Sequence, residues 1–280
     1  MLIKTVDSKD DQFSQRLGIA GEEMQDEIRY PLGDMEENRR YFGEITDLLL
    51  SREKEENGFG TLQEKTIHEV IKDFYCYNHD FQEQKRGRYI ADIAIGDDIW
   101  EIQTRAFDKL RGKLSAFLKT YHVTVIYPVP VEKKIYWLDQ ETGAITGGRR
   151  SPRKGTPYDV FWELYKIRPF LQNPNLSIHI FLMDMEEYKL LNGWSRDKKK
   201  GASRYDRLPG KLRDIVRLEC AKDYLCFLPE DLPEEFTSLD LAKCAHIPRD
   251  TAQTCLLILR DLGIVELIGK KGRLNLHHVL

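Results

Sequence analysis

The chain has few cysteines, and none are spaced to pair. Cys76, Cys220, Cys226, Cys244 and Cys255 form no C-x-x-C, and an odd count argues against a disulfide framework. A zinc site is not expected, and the thiols read as reduced and mostly core. Long hydrophobic runs are also missing. No stretch approaches the roughly 20 apolar residues needed to cross a bilayer. The opening MLIKTVDSKDDQFSQ has no signal-peptide core, so a cytoplasmic protein without a membrane partner is expected. Internal repeats and low-complexity tracts are absent, which sets aside solenoids. Nor is there a large charge of one sign, the formal net being −3 at pH 7.

What is present is a chain of 280 residues, 41% hydrophobic, long enough to bury the core of one large domain or two. Its charge is unevenly placed. Residues 1–60 hold 8 Lys and Arg against 15 Asp and Glu, so the remainder is slightly basic. Two stretches concentrate the positive charge, GGRRSPRKG at 147–155 and WSRDKKKGASRYDRLPGKLR at 194–213. They are either solvated loops or places that meet phosphate, with Arg149, Arg150, Arg153 and Lys154 as one candidate clamp.

The pattern divides the chain into four parts. Residues 1–60 form an acidic segment with a helical piece near RRYFGEITDLLLSREKE. Residues 61–192 read as a core domain. TLQEKTIHEVIKDFY places Ile67, Val70, Ile71 and Phe74 on one helical face. RYIADIAIG and DIWEIQTRAF are two strands around the turn GDD. FDKLRGKLSAFLKTY is a helix, HVTVIYPV a buried strand, and KKIYWLD a further strand. YDVFWELYKIRPFL then reads as a helix and LSIHIFLMD as a strand. Residues 193–210 are expected to be a basic linker. From 211 to 280, KLRDIVRLECAKDYLCFL reads as an amphipathic helix. FTSLDLAKCAHIPRDTAQTCLLILRDLG follows as helix, turn, helix, capped at Thr237 or Ser238 and stopped at Gly263. IVELIGKKGRLNLHHV closes the chain as a hairpin. Helix, helix-turn-helix and hairpin is the order of a winged helix.

One stretch breaks the pattern of a core strand. In RYIADIAIGDDIWEIQTRAF, Asp92 interrupts one apolar run, while Glu101 and Gln103 interrupt the next. Side chains alternate along a strand, so Trp100, Ile102 and Thr104 share one face and Glu101, Gln103 and Arg105 the other. Antiparallel pairing across GDD would bring Asp92 nearly opposite Glu101. Two unshielded carboxylates that close repel one another, and a hard divalent cation between them removes the penalty. Glu64 lies three residues before Ile67, on the buried face of its helix. The plainer alternatives are a satisfied strand-edge acid at 92 and pairing of Glu101 with Arg88 or Arg105. His68 faces the same side as Glu64 and reads first as a core histidine.

Glu64 on a helix, Asp92 on a strand and Glu101-x-Gln103 on the next, followed by a helix and a β-branched strand, resembles the PD-(D/E)XK nuclease superfamily. The resemblance covers about residues 61–130. It implies an α/β fold with a mixed central sheet flanked by helices, the restriction-endonuclease-like core, here followed by a winged helix. It also implies Mg²⁺ or Mn²⁺ held by Asp92, Glu101 and the Ile102 carbonyl, with Glu64 and Gln103 completing the catalytic set. The activity implied is hydrolysis of phosphodiester bonds in DNA, in defence or repair, by an endonuclease. Gln103 stands where the family has lysine, and Arg105, Lys109 or Lys113 are candidates for the missing charge. The alternative is a non-cleaving DNA-binding regulator or scaffold on the same fold. In the winged helix, Arg249, Thr251 and Gln253 are placed to enter a major groove and Lys270, Lys271 and Arg273 to meet phosphates. Duplex DNA is the expected partner, and a homodimer is compatible with this plan.

Overall fold

Hairpin and crossover elements between residues 82 and 139 set the architecture. The computed structural model describes residues 34–57, 65–193 and 201–280. β1 (Gln82–Arg86) pairs antiparallel with β2 (Tyr89–Ile95), which pairs antiparallel with β3 (Asp98–Ile102). Gly96 opens the tight turn between β2 and β3 at φ +55°, a conformation a residue without Cβ adopts freely. A 3₁₀ turn and α-helix Arg111–Phe117 then carry the chain back to β4 (His122–Asp139), which runs parallel to β3. β5 (Ile145–Arg150) folds back on the far half of β4. β6 (Leu176–Leu191) is parallel to β4, and β7 (Ala202–Leu218) is antiparallel to β6. The sheet order is therefore β1-β2-β3-β4-β6-β7, with β5 attached to β4.

Helices cover both faces of this mixed sheet. On one, α1 (Met35–Asn57) and α2 (Lys65–Tyr75) bury Phe42, Ile45, Ile67, Val70, Ile71 and Phe74 against Trp100, Ile102, Phe181 and Ile215. The four α2 positions are those the helical spacing picks out. Phe42, Phe74 and Phe181 form a ring cluster with centroids 5.2–5.7 Å apart. Truncating any of these to alanine would cost about 3–5 kcal/mol. On the other face lie α3 (Arg111–Phe117) and the short α4 (Phe161–Leu164). They share one apolar cluster with α5 (Ser238–Cys244) and α6 (Arg249–Asp261). β8 (Val265–Lys271) and β9 (Leu274–Val279) form the closing hairpin, joined by a bridge from Phe236 to His277. Thr237 caps α5 in a reciprocal box with Asp240, and Gly263 follows α6 at φ +70°.

The structure departs from the expected pattern in several places. The helix expected over 211–228 is instead the second half of β7 and a 3₁₀ segment, Ala221–Phe227. Leu212, Ile215 and Leu218 recur every three residues, as in a helix, for a different reason. Met183 pairs with Leu212 and Leu182 with Asp214, so Arg213 is an extra residue that resets the alternation. The expected linker at 193–210 likewise contains the start of β7 from Ala202. HVTVIYPV and KKIYWLD are one strand, with a register irregularity between Pro130 and Lys133. The helix expected at 158–171 is broken into 3₁₀ and α pieces, with Pro169 inside and Ile167 at φ −116°. Of the cysteines, only Cys76 and Cys255 are buried, and all five are free. Among the described residues, no helix is long and apolar enough to cross a membrane.

Candidate functional site

The β2–β3 register pairs Ile93 with Trp100. One step further along the ladder, Asp92 and Glu101 stand opposite each other. Trp100 and Ile102 enter the α2 side of the sheet, while Ile99, on Glu101's face, packs toward α3. Glu101 is only 2% exposed. Its carboxylate is gripped by Lys113 of α3, whose Nζ donates to Oε2 at 2.6 Å and to Oε1 at 2.9 Å. Asp92 Oδ2 accepts the Ile102 N–H at 2.7 Å and lies 3.1 Å from His68 Nε2 on α2. Two acids and two basic side chains thus meet where four elements, β2, β3, α2 and α3, converge.

The acids titrate in opposite directions. Burial, and then the neighbouring Asp92, push Glu101 up to about 8, although Lys113 opposes them. Burial alone would raise Asp92 as well. The His68 contact, the Ile102 N–H and the Lys113 charge outweigh it and hold Asp92 below its usual value. Glu83 adds a third, more distant negative charge that also raises Glu101. Lys72 holds Glu83 at 2.6 Å, and the Glu83 backbone sits at φ +49°, a strained conformation for a residue with a side chain.

Not every expected member joins this group. Glu64 lies outside the described residues. The Gln103 side-chain amide donates to the Arg105 carbonyl, and its backbone N–H bonds Ile126 O at 2.9 Å. Of the three candidates for the missing charge, Lys113 is the one bonded to Glu101. His68 touches Asp92, although its position favours a core role on pattern alone. Glu83 gives no signal in the sequence, because QEQKR is polar throughout and carries no alternation from which to read a face. Among the described residues, no set of three or more His, Cys, Asp or Glu side chains is arranged for a metal ion.

The C-terminal candidates separate by exposure. Arg249, Gln253, Lys270, Lys271 and Arg273 are exposed. Thr251 is 5% exposed, so its side chain is not available to a groove of DNA. It follows Arg249 by two positions, which on a helix turns it toward the opposite, core-facing side. Of the expected phosphate clamp, Arg153 is engaged by Asp159 at 3.5 Å.

Comparison with known proteins supplies a family. The family model described as "Domain of unknown function (DUF8091)" matches residues 65–219. An uncharacterized protein of Treponema pallidum (strain Nichols) is 28% identical over 227 residues, covering 78% of this chain and 86% of that protein. No solved structure matches.

Proposed function

The chain belongs to the DUF8091 family, and we propose that its Asp92–Glu101 pair is a divalent-metal site for hydrolysing phosphodiester bonds in DNA. The observation that carries this reading is the pairing itself. A nearly closed-off carboxylate faces a second one across a hairpin, and burial and repulsion raise the first to about 8. Such perturbation is one mark of a functional site. The donors fit Mg²⁺ or Mn²⁺, which take carboxylate and carbonyl oxygens and keep several waters. Asp92, Glu101 and the Ile102 carbonyl would hold the ion. When bound, it supplies an activated water and offsets charge on the phosphate. His68 orients Asp92 through its 3.1 Å contact. Lys113, if released from Glu101, would supply the positive charge that the neutral Gln103 amide lacks.

Two further features support the reading. The order α2–β1–β2–β3–α3–β4, with two antiparallel pairs and then a parallel one, agrees with the restriction-endonuclease-like resemblance. The α5–α6–hairpin unit, with its Phe236–His277 bridge, supplies the helix-turn-helix and hairpin of a winged helix, though not the helix expected at 211–228. In that reading Arg249 and Gln253 face bases, and Lys270, Lys271 and Arg273 face phosphates of duplex DNA. A second reading, a DNA-binding scaffold that does not cleave, is favoured by Lys113 satisfying Glu101 without an ion and by the engaged Gln103 amide.

The test is cleavage of DNA by the purified full chain with Mg²⁺ or Mn²⁺. Asp92→Ala and Glu101→Ala should each abolish cutting and leave DNA affinity largely intact. Gln103→Lys should preserve or raise the rate. Wild-type protein inert toward duplex, single-stranded and branched DNA with either ion would remove the enzyme and leave the scaffold.

A further inference from the structure

A groove of about 300 Å³ runs between α6 and the closing hairpin, lined among others by Arg249, Gln253, Arg260, Arg273, Asn275 and His277. Its helix positions, 249, 253, 256–257 and 260, form one stripe of a 3.6-residue helix. Ala252, Cys255, Ile258 and Leu259 are buried in the core. Arg260 in the last turn is favoured by the helix dipole, but Arg249 in the first turn is opposed by it. Local helix energetics therefore do not account for the set. None of the three arginines has an ion-pair partner among the described residues. Three arginines around one groove, with no acid among the described residues to pair with, leave it electropositive and open to an anion.

A buried group points the same way. His277 is 5% exposed and lines the groove, and its Nδ1 has no hydrogen-bond partner among the described residues. Burial and the nearby Arg260 hold the ring below its usual pKa, so it sits neutral beside unneutralised positive charge. Arg249 and Arg260 are eleven residues apart, roughly 16 Å along the helix at 1.5 Å per residue. Cations strung over that length suit several phosphates of an extended backbone, or a short polyphosphate held at the Arg260 end.

We propose that this groove seats consecutive phosphates of one ligand, Arg260 and Asn275 being contacts that the DNA-facing residues named above do not include. The shared chemistry is a chain of phosphates, whose source is a nucleic-acid backbone or a nucleotide polyphosphate. The inference rests on the DNA-binding reading of this segment only for the first source, and not on the Asp92–Glu101 site.

Two probes, a labelled DNA duplex and inorganic tripolyphosphate, are titrated into the full chain in EDTA, so that failure of the nuclease reading does not bear on the result. Arg260→Gln is compared with Lys119→Gln, which removes the same charge from an exposed position outside the groove. Arg260→Gln should weaken tripolyphosphate binding about tenfold, the scale of one charge-assisted hydrogen bond. Lys119→Gln should change it less than about twofold. If the ligand is a nucleic-acid backbone, Arg260→Gln also lowers the log–log salt slope for the duplex by roughly 0.9, and tripolyphosphate competes with the duplex. Tripolyphosphate binding that needs Arg260, with duplex binding absent or unchanged, assigns the groove to a nucleotide polyphosphate and removes DNA from this face. Arg260→Gln no worse than Lys119→Gln toward both probes overturns the proposal, since a diffuse field would then account for any binding.

Discussion

Replacing Glu101 by glutamine removes one charge and keeps the shape, and the consequence for stability can be worked out. The folded chain holds the Glu101 proton up to about 8, against 4.5 for a free side chain. At about 1.4 kcal/mol per pH unit, that difference corresponds to roughly 5 kcal/mol. The folded state binds this proton more tightly than the unfolded state does. Stability therefore falls as pH rises from about 4.5 to about 8, and the penalty is complete above that range. Asp92 moves the other way: its contribution is present above the unfolded value of 3.8 and lost on acidification, so it stays nearly constant from pH 5 upward. Glu101→Gln has no proton to lose. Urea unfolding in EDTA at pH 5, 6, 7 and 8.5 should show the variant gaining on wild type by roughly 4 kcal/mol across the series. Mg²⁺ at a hundredfold excess over its Kd should return about 2.7 kcal/mol to wild type at pH 8.5 and nothing to the variant. Parallel stability curves for the two proteins would refute the argument, because they would mean Glu101 is ionised at little cost.

Lys113→Gln removes the charge that opposes burial and Asp92, so Glu101 should keep its proton past pH 8.5, and the variant should lose only about 1 kcal/mol more at pH 8.5 than at pH 5. Urea unfolding at the two pH values checks this. Changing Lys270, Lys271 and Arg273 together to alanine should weaken duplex binding and lower its log–log salt slope by roughly 0.9 for each phosphate no longer neutralised; an unchanged slope means the hairpin meets no phosphate. Thr237→Ala removes the reciprocal cap on α5 and should cost about 1 kcal/mol, read as a lower Tm.

How much can be read from the amino acids depends on whether a pattern has one cause. Ile67, Val70, Ile71 and Phe74 are legible because a one-sided helix has a single period. Asp92 and Glu101 stand out because alternation and a two-residue turn leave few ways to pair the strands. β7 misleads because Arg213 inserts a residue and gives a strand the spacing of a helix. Lys113 lies twelve residues from Glu101 and on another element, so only the crossover geometry can single it out from Arg105 and Lys109. The groove arginines come from α6 and the hairpin, and nothing in either segment alone shows that they face each other.

The apolar cluster beneath the sheet does not stop at β7. It continues from Phe161, Leu164 and Ile167 into Phe227, Ile258 and Leu259. Arg168 ties it to Asp261 at 2.6 Å, and Tyr158 donates to the Phe227 carbonyl at 2.9 Å. The strands that carry Asp92 and Glu101 and the helix that carries Arg249 and Arg260 share this cluster, so a single melting transition is the expected outcome in calorimetry. A ligand held in the C-terminal groove therefore raises the free energy of opening the carboxylate site as well. A fragment ended at residue 219, where the family match stops, would lose the ring that Phe227 sets 4.7 Å from Phe161.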